Sequence, residues 1–345
     1  MHILMPYRFL DQYVGGNSTY ARTLADGLRG DGIKVSSFAA GKTPLQVHIG
    51  EAIAPLRRRP QDSVLHYVAD TGLALKSRSS PTVVTVHGVA SRWIDSARRP
   101  MQDRSWRMRV RRSLRNADCI ITVSDSSAAD ISDVFNIPHD QIHVIPHGIN
   151  PSLFEVETAP SPAVAAKLPD QYILYLGNIE PRKNLVSLVE ACEAIDSGTW
   201  ANRKLVVAGR QAWNFEESME AITKSQRVVY LGFVDDSDRR ALMQGAELFV
   251  FPSLYEGFGF PVLEALSAGT PVVTTDRGSL RDLAGPSYRL SGTDAHEIAA
   301  GLTAAMGDNA WKARCAKDGP VWASQFTWEE SVRRHVSVYR EVLGS

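Results

Sequence analysis

The sequence predicts an α/β protein of two doubly wound domains, each built on a parallel sheet. Three observations carry this. Short apolar runs alternate with helix-period stretches over residues 2–145, a rhythm that βαβ units produce and antiparallel hairpins do not. Residues 155–170 then break it, with Pro160, Pro162 and Pro169 among alanines and no usable periodicity, as an inter-domain connection does. The rhythm restarts at residue 172. A chain of 345 residues is long enough for two cores of ordinary size. The expected boundaries are a first domain over 1–153, a linker over 154–170, a second domain over 171–326 and a docking helix over 327–343.

In the first half, a strand at residues 2–5 leads to Gly15 and Gly16, which open a helix carrying Tyr20, Leu24 and Leu28. Further strands are expected at 33–38, 64–68, 82–86, 119–123 and 142–145. Doubly wound sheets bind ligands outside the carboxyl ends of their strands. Gly15, Gly16, His87, Gly88, Ser124, His147 and Gly148 all fall there. His87 directly follows its strand, where it either serves the core or points into the crevice as donor or acceptor. A helix over 101–117 aligns Trp106, Val110 and Leu114 on one stripe, while Arg104, Arg107, Arg109, Arg111, Arg112 and Arg115 cover most of the rest. With Arg57, Arg58, Arg59, Arg98 and Arg99 they form a basic surface. It reads either as the solvated back of a core helix or as a face drawn to anionic lipid at about 1 kcal/mol per nearby cation. Nucleic acid is not an expected partner, because no aromatic stacking platform is interleaved with the arginines.

Charge is uneven along the chain. Residues 1–153 hold 19 basic and 13 acidic side chains and the remainder 19 and 25, so the halves sit near +6 and −6. Either an anionic partner for the first domain or a weakly biased surface follows from this. Cys119, Cys192 and Cys315 are far apart and form no metal or disulfide spacing, which fits a reducing cytoplasm. No apolar run approaches ~20 residues, and residues 1–6 are too short an apolar core for a signal peptide, so neither a membrane span nor a leader is expected.

In the second half, strands are expected at 172–177, 204–209, 228–232, 248–251 and 271–275. Arg182 and Lys183 lie in the loop after the first of these, before a helix beginning near Asn184. Adjacent cations beside a helix N-terminus suit a diphosphate. Asp236, Ser237 and Asp238 match a metal-binding Asp-x-Asp in form, but they precede a helix over 239–246 and read as its cap. Thr327 and Glu330 form a capping box for the final helix, whose apolar face is Val332, Val336, Tyr339 and Leu343. The second domain is organised around residues 252–269: a strand ends at Pro252, a loop holds Gly257 and Gly259, Pro261 sits in the first turn of a helix, and Gly269 stops it. Strand, glycine-rich turn and helix N-terminus make an anion site, with Glu256 and Glu264 on either side.

Those two glutamates, with seven residues between them, resemble the Glu-x7-Glu motif of retaining glycosyltransferases, family 4 of the GT-B fold. The sequence Glu180-Pro181-Arg182-Lys183-Asn184 is similar to that of mannosyltransferases of bacterial polysaccharide assembly. The likeness runs through nearly the whole chain, including Gly15 and Gly16, Val144 to Gly148, Gly177 to Asn184, Gly232 to Val234 and the tail. It implies two Rossmann-like domains facing across a cleft, with the C-terminal helix packing back on the first. It also implies roles. Glu264 would accept from the ribose of a nucleotide sugar, and Glu256 from hydroxyls of the transferred sugar, helped by amides of Phe258, Gly259 and Phe260. Arg182 and Lys183 would hold the diphosphate, approached by Gly15 and Gly16 from the other domain. His87 would sit beside the donor sugar, and Phe233 and Val234 at the base. Asn178 stands where many members carry a phosphate-binding arginine, so Arg182 is expected to compensate; Gly88, Arg281 and Asp282 also depart from common patterns.

The activity so implied is a retaining hexosyl transfer, needing no metal or cofactor, from a nucleotide sugar to a glycan or lipid-linked acceptor. GDP-mannose is the first donor expected. The setting would be cell-surface polysaccharide or glycolipid assembly, in the cytoplasm or peripheral on the inner face of the membrane. Two alternatives are a sugar-nucleotide epimerase of the same fold, against which the complete glutamate pair argues, and a non-catalytic nucleotide-sugar-binding subunit, against which Glu256, Lys183 and His87 argue.

Overall fold

The computed structural model describes residues 1–12, 15–41, 43–73, 75–77, 79–94 and 100–344. They fall into two compact units, one gathering Met1–Arg92, Arg98–Gly148 and Phe326–Ser345, the other chiefly Ile149–Gln325. In chain order the first unit runs β1 (His2–Pro6), α1 (Gly16–Gly30), β2 (Lys34–Phe38), α2 (Pro44–Ile53), β3 (Ser63–Tyr67), β4 (Thr82–Val86), α3 (Pro100–Asn116), β5 (Cys119–Thr122), α4 (Asp125–Phe135) and β6 (Ile142–Val144). The second runs α5 (Pro162–Ala165), β7 (Tyr172–Leu176), α6 (Leu185–Ala194), α7 (Ser197–Trp200), β8 (Lys204–Ala208), α8 (Glu216–Lys224), β9 (Val228–Gly232), α9 (Asp236–Gly245), β10 (Leu248–Phe251), α10 (Phe260–Ser267), β11 (Val272–Thr274), α11 (Leu280–Leu283), β12 (Tyr288–Arg289), α12 (Ala295–Gly307) and α13 (Asn309–Ala323). The last helix, α14 (Trp328–Leu343), belongs to the first unit.

Among the described residues each unit holds one six-stranded sheet, ordered β2-β1-β3-β4-β5-β6 and β12-β11-β10-β7-β8-β9, and every pairing is parallel. Both faces of each sheet are covered by helices, so neighbouring strand residues are buried on opposite sides. Val64 and Val83 join a layer with Tyr20, Leu24 and Leu28 of α1 and Val332, Val336 and Tyr339 of α14. Leu65 and Val84 join the other layer, with Trp106, Val110 and Leu114 of α3 and Ile131 of α4. That double coverage is why the strands read as unbroken apolar runs. Gly148 permits the tail to return: a Cβ there would lie 2.0 Å from the backbone nitrogen of Trp328.

The structure adjusts some expectations. Residues 155–170 are part of the second unit and are tied to α9, where Asp238 accepts from the backbone and hydroxyl of Ser161 at 2.6 and 2.9 Å. The helix expected at 239–246 begins at Asp236, and its cap is Asp235, which accepts from the Asp238 amide at 2.8 Å. Thus the Asp-x-Asp pair lies inside the first turn, and Asp238 anchors chain. Helices α2, α12 and α13 had no expected bounds; Pro320 within α13 disguises it.

Candidate active site

In each sheet the strand order reverses once, between β1 and β3 and between β7 and β10. At such a switch point the loops leaving two adjacent strands diverge to opposite faces and open a crevice. In the second unit these are the loops after β7 and after β10, and they bring together residues about 73 positions apart. Leu254 donates its backbone N–H to the Arg182 carbonyl at 2.9 Å and so stitches the two loops together. Pro181, Arg182 and Lys183 form a single 3-10 turn, released into α6 by Asn184 at φ 60°, a left-handed conformation Asn tolerates.

The result is a buried ionic cluster. Arg182 donates from Nη1 to Glu256 Oε2 at 2.7 Å and to the Tyr255 carbonyl at 2.9 Å, and from Nε to Glu180 Oε1 at 2.9 Å. Lys183 donates from Nζ to Glu256 Oε1 at 2.6 Å and stands 4.7 Å over the Phe251 ring. Burial pushes the Glu256 carboxyl up, but Arg182 and Lys183 more than reverse this and hold it at about 2. Burial also opposes the Arg182 charge, which Glu256 and Glu180 restore. Lys183 is pushed down by burial and by Arg182, against the pull of Glu256. Two cations thus face two carboxylates. The sequence reading gave the cations to a diphosphate and Glu256 to a sugar; in this structure they satisfy one another.

The backbone around Glu256 is fixed by the loop after β11. Ser279 donates its N–H to the Glu256 carbonyl at 3.0 Å and its hydroxyl to the Phe258 carbonyl. Gly278 has φ 56°, and a Cβ there would sit 2.4 Å from the Glu256 carbonyl oxygen, so only glycine allows the approach. Gly259 is the N-cap of α10 at φ 115°, and the Phe258 and Phe260 rings meet edge to face at 5.0 Å.

Glu264, one turn into α10, is kept apart from that cluster. Both its oxygens accept from Arg239 Nη1, at 2.7 and 2.9 Å. Burial raises its pKa, opposed by Arg239. The two glutamates of the motif therefore have separate cationic partners. Phe233 is exposed, with the Arg210 guanidinium 3.9 Å over its ring, and Val234 beside it is half-buried.

His87, Gly15 and Gly16 lie in the first unit: His87 directly follows β4, and Gly15 is the N-cap of α1, separated from β1 by a helical turn over Arg8–Gln12. Gly15 has φ 124°, a conformation reserved for glycine. His87 Nε2 donates to the Val68 carbonyl at 2.9 Å, which fixes the Nε2–H tautomer because a carbonyl only accepts. Burial lowers its pKa to about 4, so the ring is neutral near pH 7. Its ring packs on Tyr20 at 5.0 Å and His147 at 5.2 Å.

On α3, Trp106, Val110 and Leu114 are buried as the spacing predicts, and Arg104, Arg111, Arg112 and Arg115 are exposed. Arg107 is turned to other work, bonded to Asp103 at 2.5 Å and to the Ser91 carbonyl at 3.2 Å. Arg98 and Arg99 lie outside the described residues. The same side of the sheet carries α2, whose end at Ala54 enters the core layer of α3. Leu45, Ile49 and Ile53 form an exposed ridge along it, 40–69 % accessible, continued by Leu56 and the exposed Arg57 and Arg58.

Residues 160–322 match the family model Glycosyl transferases group 1, and residues 52–153 match Glycosyltransferase Family 4. Among curated relatives, the chain is 32% identical over 235 residues to the O-antigen chain mannosyltransferase B of Escherichia coli, covering 66% of this chain and 62% of that one. It is 27% identical to the MMP alpha-(1->4)-mannosyltransferase of Mycolicibacterium hassiacum, covering 83% of this chain and 72% of the relative. Among solved structures, sucrose-phosphate synthase from Thermosynechococcus elongatus superposes with a TM-score of 0.79 at 20% identity, over 99% of both chains. Anabaena HepE in complex with UDP and glucose does so at 0.75 and 18%, over 99% of this chain and 100% of that one.

Proposed function

For this chain, which belongs to the GT-B glycosyltransferases with a family 4 domain followed by a group 1 domain, we propose transfer of a hexose from a nucleotide sugar to a glycan or lipid-linked acceptor in cell-surface polysaccharide or glycolipid assembly. The observation that carries this reading is the Arg182–Lys183–Glu256 cluster at the switch point. A nucleoside diphosphate is the leaving group, so the main catalytic task is stabilising the negative charge that develops on it. Arg182 and Lys183 supply two adjacent positive charges for that purpose, and no metal is needed. As the diphosphate takes up these donors, Glu256 is released to the sugar hydroxyls. In the free protein this carboxyl is held at about 2, so Glu256 enters the reaction ionised, as an acceptor of hydrogen bonds rather than a general acid. In this reading Glu256 holds the sugar hydroxyls rather than attacking, and front-face attack with retention follows, the acceptor proton passing to the departing phosphate.

In this reading Glu264 receives the ribose hydroxyls, Phe233 and Val234 meet the base, and the amides of Phe258, Gly259 and Phe260 assist at the sugar. Gly15, Gly16 and the neutral His87 are the residues of the first unit assigned to the donor. GDP-mannose is the proposed donor, supported by the mannosyltransferases among the relatives. The basic face of α3 and the apolar ridge of α2 would hold the protein on the anionic inner face of the cell membrane. Among the described residues no helix is long and apolar enough to cross one. The three cysteines are free and buried, which supports a reducing compartment.

A panel of nucleotide sugars with lipid-linked and free glycan acceptors tests the proposal, with nucleoside diphosphate release and product anomer as readouts and chelator in parallel. Acceptor-dependent release of GDP from GDP-mannose, an α-linked product and full activity in chelator are expected. Isomerised donor would instead identify an epimerase, and no turnover with any donor a silent binding subunit.

A further inference from the structure

Arg239 has no part in the reaction described above, yet its position joins two pieces of the nucleoside end of the site. It stands one turn into α9, the helix that follows the loop of Phe233 and Val234. From there it spans 25 positions of sequence to bridge both oxygens of the buried Glu264 through a single nitrogen, at 2.7 and 2.9 Å. Its other terminal nitrogen lies 3.3 Å from Asp236 Oδ1. A carboxylate offers about four acceptor directions, two on each oxygen, and this bridge occupies one on each. One acceptor direction therefore remains on each oxygen, enough in number for the two hydroxyls of a vicinal diol.

Without a cation beside it, a carboxyl buried like Glu264 drifts toward its neutral form. A neutral acid has one donor and a single good acceptor, and it meets a diol poorly. The charged groups acting on Glu264 among the described residues are Arg239, which favours the carboxylate, and Asp236, which disfavours it; both come from α9.

We propose that Arg239 is a positioning residue that holds Glu264 as an oriented, doubly accepting carboxylate and thereby sets the enzyme's preference for a ribose diol over a deoxyribose. The proposal rests on the reading of Glu264 as the ribose ligand. The geometry also couples the two contacts, since the helix that carries Arg239 is continuous with the loop assigned to the base.

The test is the affinity of the full-length protein for GDP and UDP and for their 2′-deoxy and 3′-deoxy analogues, measured by calorimetry for wild type, Arg239→Met and Arg239→Lys. Wild type should prefer the ribonucleotide of whichever base binds tighter by about tenfold, the scale of one lost hydrogen bond to a charged group. In Arg239→Met that preference should collapse to within about twofold, ribonucleotide affinity should fall about tenfold at pH 7, and it should recover as pH rises and Glu264 ionises. Arg239→Lys, which keeps the charge but not the bridging geometry, should restore part of the preference and none of the pH dependence. In steady state the loss should appear in the donor KM, with kcat at saturation changed by less than about threefold. A wild type that does not distinguish ribose from deoxyribose would remove both the ribose assignment of Glu264 and this proposal. A wild type that does, with Arg239→Met keeping the same ratio at every pH, would overturn the proposal alone. Should Arg239→Met fail to fold, Arg239→Lys with an unchanged preference and an unchanged KM would do so as well.

Discussion

Glu256 is a buried carboxylate whose stability depends on two neighbours, and that dependence can be measured. Its carboxyl is held at about 2 against an ordinary value near 4.3, so the unfolded chain binds the proton more readily. The contribution is therefore complete above pH ~4.5 and disappears as pH falls through about 2, and a shift of this size corresponds to about 3 kcal/mol. Glu256→Gln should lower the unfolding free energy at pH 7 by about that amount, in line with breaking a buried ion pair. The difference between variant and wild type should shrink steadily from pH 4.5 to pH 2 in urea titrations. A difference independent of pH would mean that packing, not charge, is what Glu256 supplies. At this scale Glu256, Lys183 and Glu264 were legible because their chemistry sits in short local patterns. Arg239 and the Glu180 contact to Arg182 were not, since each is defined by a partner that only the fold brings close; Arg239 stood only as the first residue of the helix expected over 239–246.

At the scale of elements, α14 is held by more than its apolar face. His335 donates from Nδ1 to the Ser331 carbonyl at 2.7 Å and accepts at Nε2 from the Tyr20 hydroxyl at 2.8 Å. Tyr339 contacts His66 Nδ1 at 2.7 Å, and His66 Nε2 reaches Thr85 at 2.8 Å. Burial lowers the pKa of His66, His87, His147 and His335, with His87 and His335 brought to about 4. The unfolded chain then binds more protons than the folded one below pH ~6.5, so stability is present above that value and is lost as pH drops toward 4. Each such histidine contributes a slope of about 1.4 kcal/mol per pH unit between the two values. His335→Gln should reduce the slope around pH 5 by one such increment, read from hydrogen exchange at α14 amides after correction for intrinsic rates. An unchanged slope would contradict the role of His335. The tail helix itself was legible from the Thr327 cap and the spacing of Val332, Val336 and Tyr339, although only half of the expected capping box forms: Thr327 accepts from the Glu330 amide at 3.2 Å, while the Glu330 carboxylate turns to Arg333. The histidine network was not, because His66, His87, His147 and His335 lie on separate elements and a lone histidine in sequence carries no partner.

At the scale of the molecule, the strand rhythm revealed both sheets because parallel sheets covered on two faces leave uninterrupted apolar runs. The charge asymmetry pointed to the basic first unit, but the ridge of Leu45, Ile49, Ile53 and Leu56 went unseen: α2 had not been delimited, and outward apolar residues resemble core residues in sequence. Its exposure changes the membrane reading from attraction alone to attraction with insertion. Flotation with vesicles containing anionic lipid should carry the protein at low salt. Replacing Arg104, Arg111, Arg112 and Arg115 with Gln should weaken binding mainly at low salt, while Ile49→Ser with Ile53→Ser should weaken it at all salt concentrations. No flotation at low salt would discard the membrane face.

If Arg182 and Lys183 serve the diphosphate while Glu256 serves the sugar, Glu256→Ala separates the two roles. In this structure both cations bond Glu256, so its removal takes their shared carboxylate away and leaves Arg182 on Glu180. The measurement is the rate of sugar transfer from the donor the panel identifies, set beside the affinity for the matching nucleoside diphosphate. Transfer should fall by at least about a thousandfold, the scale of losing a group that acts on the reacting sugar, with nucleotide affinity equal to wild type or tighter. Transfer at the wild-type rate, or nucleotide binding lost together with transfer, would contradict that division of roles.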